Sequence, residues 1–293
     1  YILYASDFKG QTKDSMRTVL NQYQQAAEIP LLIGVDEEGG NVNRVSLYKA
    51  FRAAPFHSPQ SLYAQGGFPL VVSDTIEKAA LLQSLGVNVN LAPVCDVSNN
   101  PSDYIYPRTF GKDAKQTAAY VKTVVETMNG RKLGAVLKHF PGYGSNVDTH
   151  TGIATDTRPY TSFETADFLP FQAGIAAGAG GVLVSHNIVT CMDETLPASL
   201  SPAVHRVLRD TLGFNGVIMT DDLMMEAIKQ YTGAQKAAVL AVRAGNDMVL
   251  ATDFDVQIPA VLAAVEEGTI PMAQIDASVT RILLWKARLG LAI

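Results

Sequence analysis

Seven short apolar runs, separated by longer stretches of helical pattern, constrain this chain more than any other feature. They are ILYA (2–5), LLIGVD (31–36), VNVNLAPV (87–94), GAVLKHF (134–140), GGVLVSH (180–186), GVIMTDD (216–222) and DMVLAT (247–252). They are too apolar to be strands with one wet face, so both faces of the sheet they form are expected to be covered. Between them SDTIEKAALLQSLG (73–86), DAKQTAAYVKTVVETMNG (113–130), SPAVHRVLRDTLG (201–213) and YTGAQKAAVLAVRAG (231–245) read as helices. Several open on Ser or Asp, whose side chains cap free amides, and close on Gly, which accepts the left-handed conformation at a helix end. This β–α punctuation predicts an all-parallel sheet covered by helices.

Two parallel architectures compete. An open nucleotide-binding sheet needs a glycine fingerprint after an early strand, but GAGG (178–181) precedes a strand, GYG (142–144) lacks a third glycine and a following helix, and no P-loop is present. A closed (β/α)8 barrel needs chemically capable residues at the C-terminal end of strand after strand. The runs supply them: Asp36, Asp96, Lys138 with His139, His186, and Asp221 with Asp222. We therefore predict a TIM barrel, with seven of its eight strands visible. No linker or charge block divides residues 1–293, the segment 275–293 reads as a closing helix, and one domain is the simplest reading.

Composition narrows the function. With 47% hydrophobic and 17% charged residues the chain can bury a large core. Its net charge of −5, with scattered Lys and Arg, argues against a nucleic-acid surface. No apolar run reaches the roughly 18 residues of a membrane span. Cys95 and Cys191 lack any metal-binding spacing and read as free thiols, at least one of them packed. No H-x-H follows the first run, so a metal-dependent barrel hydrolase is not favoured, and no cofactor or metal is expected. Oligomeric state and compartment are not encoded in these patterns.

The densest chemistry lies in KHFPGYGSNVDTH (138–150), which leaves an apolar run and at once presents Lys138, His139, Asp148 and His150. Lys138 and His139 at the mouth of a barrel could donate to hydroxyls. Asp148, two residues from His150, could fix the tautomer of that histidine and tune it for proton transfer near neutrality. An exposed loop histidine with no task is the alternative. TDD (220–222) places two acids after a buried run, where a carboxylate is costly unless hydrogen-bonded or used. One can cap the following helix while the other acts as a nucleophile. VDEEGG (35–40) taken alone reads as a solvated acidic turn. Arg44 and Arg108, on loops after strand ends, could hold a polar ligand. His57 and His205 read as surface residues, His186 as either site-lining or a satisfied buried histidine, and Trp285 as core.

LLIGVDEEGGNVNR, YPRTFG, LKHFPGYGSNVDTH, LPASLSP and LGFNGVIMTDDLMMEAI together resemble the glycoside hydrolase family 3 β-N-acetylglucosaminidases, in the same order over nearly the whole chain. The resemblance implies a (β/α)8 barrel and retaining, two-step removal of terminal β-linked N-acetylglucosamine from peptidoglycan-derived muropeptides or chitin oligomers. It implies Asp221 as nucleophile, His150 as general acid/base set by Asp148, and Asp36, Arg44, Arg108, Lys138 and His139 as holders of the sugar hydroxyls. Some relatives use phosphate in place of water, and a non-catalytic sugar-binding relative is the other alternative. Three departures stand out. Tyr143 replaces the usual loop histidine, Asn41 replaces an arginine, and members carry a strand and helix ahead of the segment matching residues 1 to 5. By that comparison the present chain lacks the first barrel strand.

Overall fold

The computed structural model describes residues 1–146 and 152–291. Its core is a parallel sheet of six strands: β1 (Ile2–Leu3), β2 (Gly34–Val35), β3 (Val89–Asn90), β4 (Gly134–Phe140), β6 (Gly181–Val184) and β8 (Val217–Thr220), adjacent in chain order. Register pairs Ile2 with Gly34, Val35 with Asn90, Leu137 with Val182 and Val184 with Thr220. The seventh predicted run adds to the far edge, where Met248 bridges Met219 in parallel and the amides of Asp247 and Met248 donate to the Ile218 carbonyl. Every predicted run thus takes a place in one sheet. A second small parallel sheet pairs β5 (Thr155–Asp156) with β7 (Ile188–Val189), in the segments that follow β4 and β6.

The sheet curls into a half-barrel. Leu32, Val89, Val136, Leu183, Val217 and Met219 fill its concave side with Trp285, while Ile33, Val35, Leu137, Val182, Val184 and Ile218 pack outward against the helices. Successive residues of a strand point to opposite faces, so burial on both sides explains the unbroken apolar runs. The outer layer includes helices Pro59–Leu85, Ala114–Gly130 and Phe168–Ala176. Asp113 caps the second through the Gln116 amide, and Gly86 closes the first at φ 98°. The predicted helix over 201–213 divides into an α-helical turn, Pro202–Arg206, and a wider π-helical turn, Val207–Thr211. The closing helix runs from Met272 to Arg288.

Closure of the barrel is where expectation and structure part. Among the described residues β1 pairs only with β2 and the Met248 segment only with β8, so the curled sheet keeps two edges. Both edges line one apolar cavity of about 440 Å³, bounded by Ile2, Leu32, Val89, Met248, Leu250 and Trp285. No helix among the described residues is long and apolar enough to cross a membrane.

Candidate active site

The C-terminal ends of the strands converge on a second, more polar cavity of about 430 Å³. Asp36 and Glu38 reach it from β2, Lys138 and His139 from β4, Asp221 and Asp222 from β8, and Arg44, Tyr104 and Arg108 from intervening loops. Alternation along a strand would send Lys138 and His139 to opposite faces. The pairing of β4 with β6 shifts register between Leu137 and Phe140, the peptide bond between Lys138 and His139 is cis, and both neighbours line the cavity.

The floor is one connected ionic network. Lys138 Nζ donates to Asp36 Oδ1 and Glu38 Oε1, each at 2.6 Å. Arg108 grips Glu38 with two nitrogens, Nε to Oε2 at 3.0 Å and Nη2 to Oε1 at 2.7 Å. Arg108 Nη2 also meets His139 Nε2 at 3.0 Å, and His139 Nδ1 lies 2.7 Å from Asp96 Oδ2. A guanidinium can only donate, so Nε2 is the acceptor and Nδ1 carries the proton it gives to Asp96. Burial works against the charge on Glu38, but Arg108 and Lys138 outweigh it and hold the carboxyl far below the usual range. Arg108 and Lys138 are raised in turn: burial lowers both, and Glu38, with Asp36 for Lys138, more than compensates. Ions this buried are tolerable because each is met by several charge-assisted hydrogen bonds.

Asp221 sits at the end of β8 beside this floor. Burial alone would raise its pKa; His186, the Asp222 amide at 2.8 Å and Lys138 together bring it below its ordinary value, which keeps the carboxylate ionised. Asp222, on the same cavity wall, accepts from the Met224 amide at 2.9 Å and the Tyr4 hydroxyl at 3.1 Å. His186 Nε2 donates to the Asp222 carbonyl at 2.9 Å, and its Nδ1 lies 2.8 Å from Ser199 Oγ. The histidine braces the turn that carries the acidic pair.

The structure places Asp36, Arg44, Arg108, Lys138, His139 and Asp221 around one cavity. Asp148 and His150 lie outside the described residues. Two readings are corrected. The acids of VDEEGG are not a solvated turn, because Glu37 and Glu38 are both buried. Glu37 accepts from the backbone amides of Arg44, Val45 and Ser46 and from the Ser46 hydroxyl, which folds the loop that presents Arg44. His205 is not on the surface either; it is buried, with Nδ1 2.8 Å from the Ser201 carbonyl. Sequence reasoning missed the anchoring roles of Glu38 and Asp96, and Tyr4 and Tyr104 as wall residues. Their one sequence signal was position after a strand end, which Glu38 and Asp96 shared with residues that were selected.

The chain matches the glycosyl hydrolase family 3 N-terminal domain over residues 2–284. It is 33% identical over 232 residues to a β-hexosaminidase of Xylella fastidiosa, covering 78% of this chain and 68% of that protein. Over 270 residues it is 32% identical to the Mycobacterium tuberculosis β-hexosaminidase LpqI, covering 88% and 68% respectively. A solved family 3 β-N-acetylglucosaminidase from Paenibacillus sp. FPU-7 superimposes with a TM-score of 0.92 at 31% identity, covering 99% of this chain and 56% of that one. The chain therefore belongs to glycosyl hydrolase family 3. Its kinship places it with the glycoside hydrolases, and it spans just over half the length of the Paenibacillus structure.

Proposed function

We propose that this chain carries the catalytic centre of a retaining exo-β-N-acetylglucosaminidase, acting on terminal non-reducing β-linked N-acetylglucosamine of peptidoglycan-derived muropeptides or chitin oligomers. The observation that carries the reading is the ionised Asp221 facing the same cavity as the Asp36–Lys138–Glu38–Arg108–His139 network. Asp36 can accept from sugar hydroxyls, and Arg44, Arg108, Lys138 and His139 can hold oxygens around them. In this mechanism Asp221 attacks the anomeric carbon, forming the glycosyl–enzyme ester as the bond to the leaving oxygen breaks. His150, held by Asp148, protonates that oxygen, then takes a proton from the water that attacks the same carbon and releases Asp221. The reading extends to a complete (β/α)8 barrel, an eighth strand filling the space between β1 and the Met248 segment.

Release of chromophore from an aryl β-N-acetylglucosaminide, set against the matching β-glucoside with and without phosphate, tests the activity and its acceptor. Selective turnover of the former is expected, with Asp221→Ala and His150→Ala each losing at least about a thousandfold in kcat while remaining folded. Wild-type rates in both variants would overturn the assignment.

A further inference from the structure

We propose that Tyr104 is the stacking platform for the ring of the leaving group, and so a specificity-determining residue for the sugar or aromatic aglycone that departs. The assignment rests on the glycosidase reading given above. Tyr104 lines the cavity that holds Asp221 and Arg108, yet 41% of it stays exposed, so it stands at the rim. Behind it lies a graded stack. The Tyr104 and Tyr143 rings are 5.9 Å apart and tilted by 39°, and Tyr143 meets His139 edge-on at 5.8 Å. A line of rings therefore climbs from the floor, where His139 joins the ionic network, to the rim. Tyr143 is itself buried and fixed by its amide, which donates to Asp96 at 2.7 Å.

The turn that presents Tyr104 is held firmly. Asp103 accepts from Ser98 Oγ at 2.7 Å and from Asn100 Nδ2 at 3.0 Å, and Ile105 is fully buried. The same turn continues into Tyr106–Arg108, which delivers the guanidinium to Glu38. One rigid segment thus offers a charged group to the floor and an aromatic ring to the rim. The charged floor suits the hydroxyls of a sugar seated over Asp221, whereas a pyranose one step outward presents apolar C–H faces that pack on an aromatic surface. Tyr4, on another part of the wall, has its hydroxyl committed to Asp222. Tyr104 stands on the side reached by the chain that leaves β4, through its contact with Tyr143.

The experiment compares three donors on the whole chain: N-acetylglucosaminyl fluoride, whose leaving group is a single atom, an aryl β-N-acetylglucosaminide, and the β-1,4-linked disaccharide of N-acetylglucosamine. For Tyr104→Ala we expect kcat/KM to fall about tenfold on the disaccharide and the aryl glycoside, chiefly through KM, while the fluoride rate is unchanged. Tyr104→Trp should restore both. An equal loss on all three donors would mean that Tyr104 supports the floor or the fold, and no loss on any would mean that the ring is idle; either result overturns the proposal. Absence of wild-type turnover on every donor would overturn the activity itself, and this assignment with it.

Discussion

Glu38 accepts from both Arg108 and Lys138, so Glu38→Gln would leave a guanidinium and an ammonium facing each other without the anion between them. Breaking a buried pair from one side costs about 3–5 kcal/mol, because the abandoned charges stay out of water. We expect chemical denaturation to show a loss of that order and kcat/KM on an aryl N-acetylglucosaminide to fall by at least about a hundredfold; a fully active, fully stable variant would mean that the network does not organise the site. At this scale the sequence was legible where a residue's type announced chemistry. Asp221, Lys138 and His139 follow apolar runs, where polar groups must be satisfied or used, and all three line one cavity. Glu37 and Glu38 were opaque because an acidic run beside glycines looks solvated. What buries them is the backbone of 44–46 and the side chains of Arg108 and Lys138, contacts up to 100 residues away in the chain.

Two features of the elements decide how the site is held. The first is the irregular stretch of β4 at Lys138 and His139, two consecutive residues that line the same cavity. Apolar periodicity carries no signal for it, although the polarity of Lys138 and His139 placed them at the mouth. The second is the seat of the segment that follows. Arg158 is held by Asp156 at 2.8 Å and by Asp167 at 2.9 Å, and its guanidinium lies 4.4 Å from the centre of the Phe163 ring. Asn146 donates to Asp156 at 3.0 Å, and a side chain at Gly142, where φ is 128°, would collide with Asp167. Burial outweighs the pull of Arg158 and raises Asp167 from 3.8 to about 6. The folded chain therefore binds this proton more tightly than the unfolded chain does. The resulting stability is complete below pH about 4 and is lost as pH rises through about 6. Urea denaturation between pH 4 and 7 should show a fall on the order of 2 kcal/mol that Asp167→Asn flattens; identical slopes in the two proteins would refute the assignment.

At the scale of the molecule, all seven apolar runs became neighbours in one parallel sheet, because runs buried on both faces have few other solutions. Closure was not legible in the same way. It depends on whether two edges meet, which is a property of the whole curl rather than of any run. Here the edges border an apolar cavity of about 440 Å³, and the nearby helix Phe254–Glu266 leaves Phe254, Ile258 and Leu262 more than half exposed at four-residue spacing. Exposed apolar surface of this kind binds hydrophobic dyes. We expect the 293-residue chain to enhance anilinonaphthalene sulfonate fluorescence in its folded state, without displacement by N-acetylglucosamine; no enhancement would mean that the cavity is filled in solution.

Trp285 is the one tryptophan of the sequence, and it sits at the foot of that cavity, close against Gly134 and Gly180 where β4 and β6 begin. The cavity-lining Lys138 and His139 lie toward the opposite end of β4, about 13–17 Å from Gly134 at roughly 3.3 Å per residue. The indole is thus a native optical gauge set into the base of the half-barrel. Its emission wavelength reads how wet the interior is, and its anisotropy how firmly the closing helix is docked, while events among the hydroxyls at the mouth leave it silent.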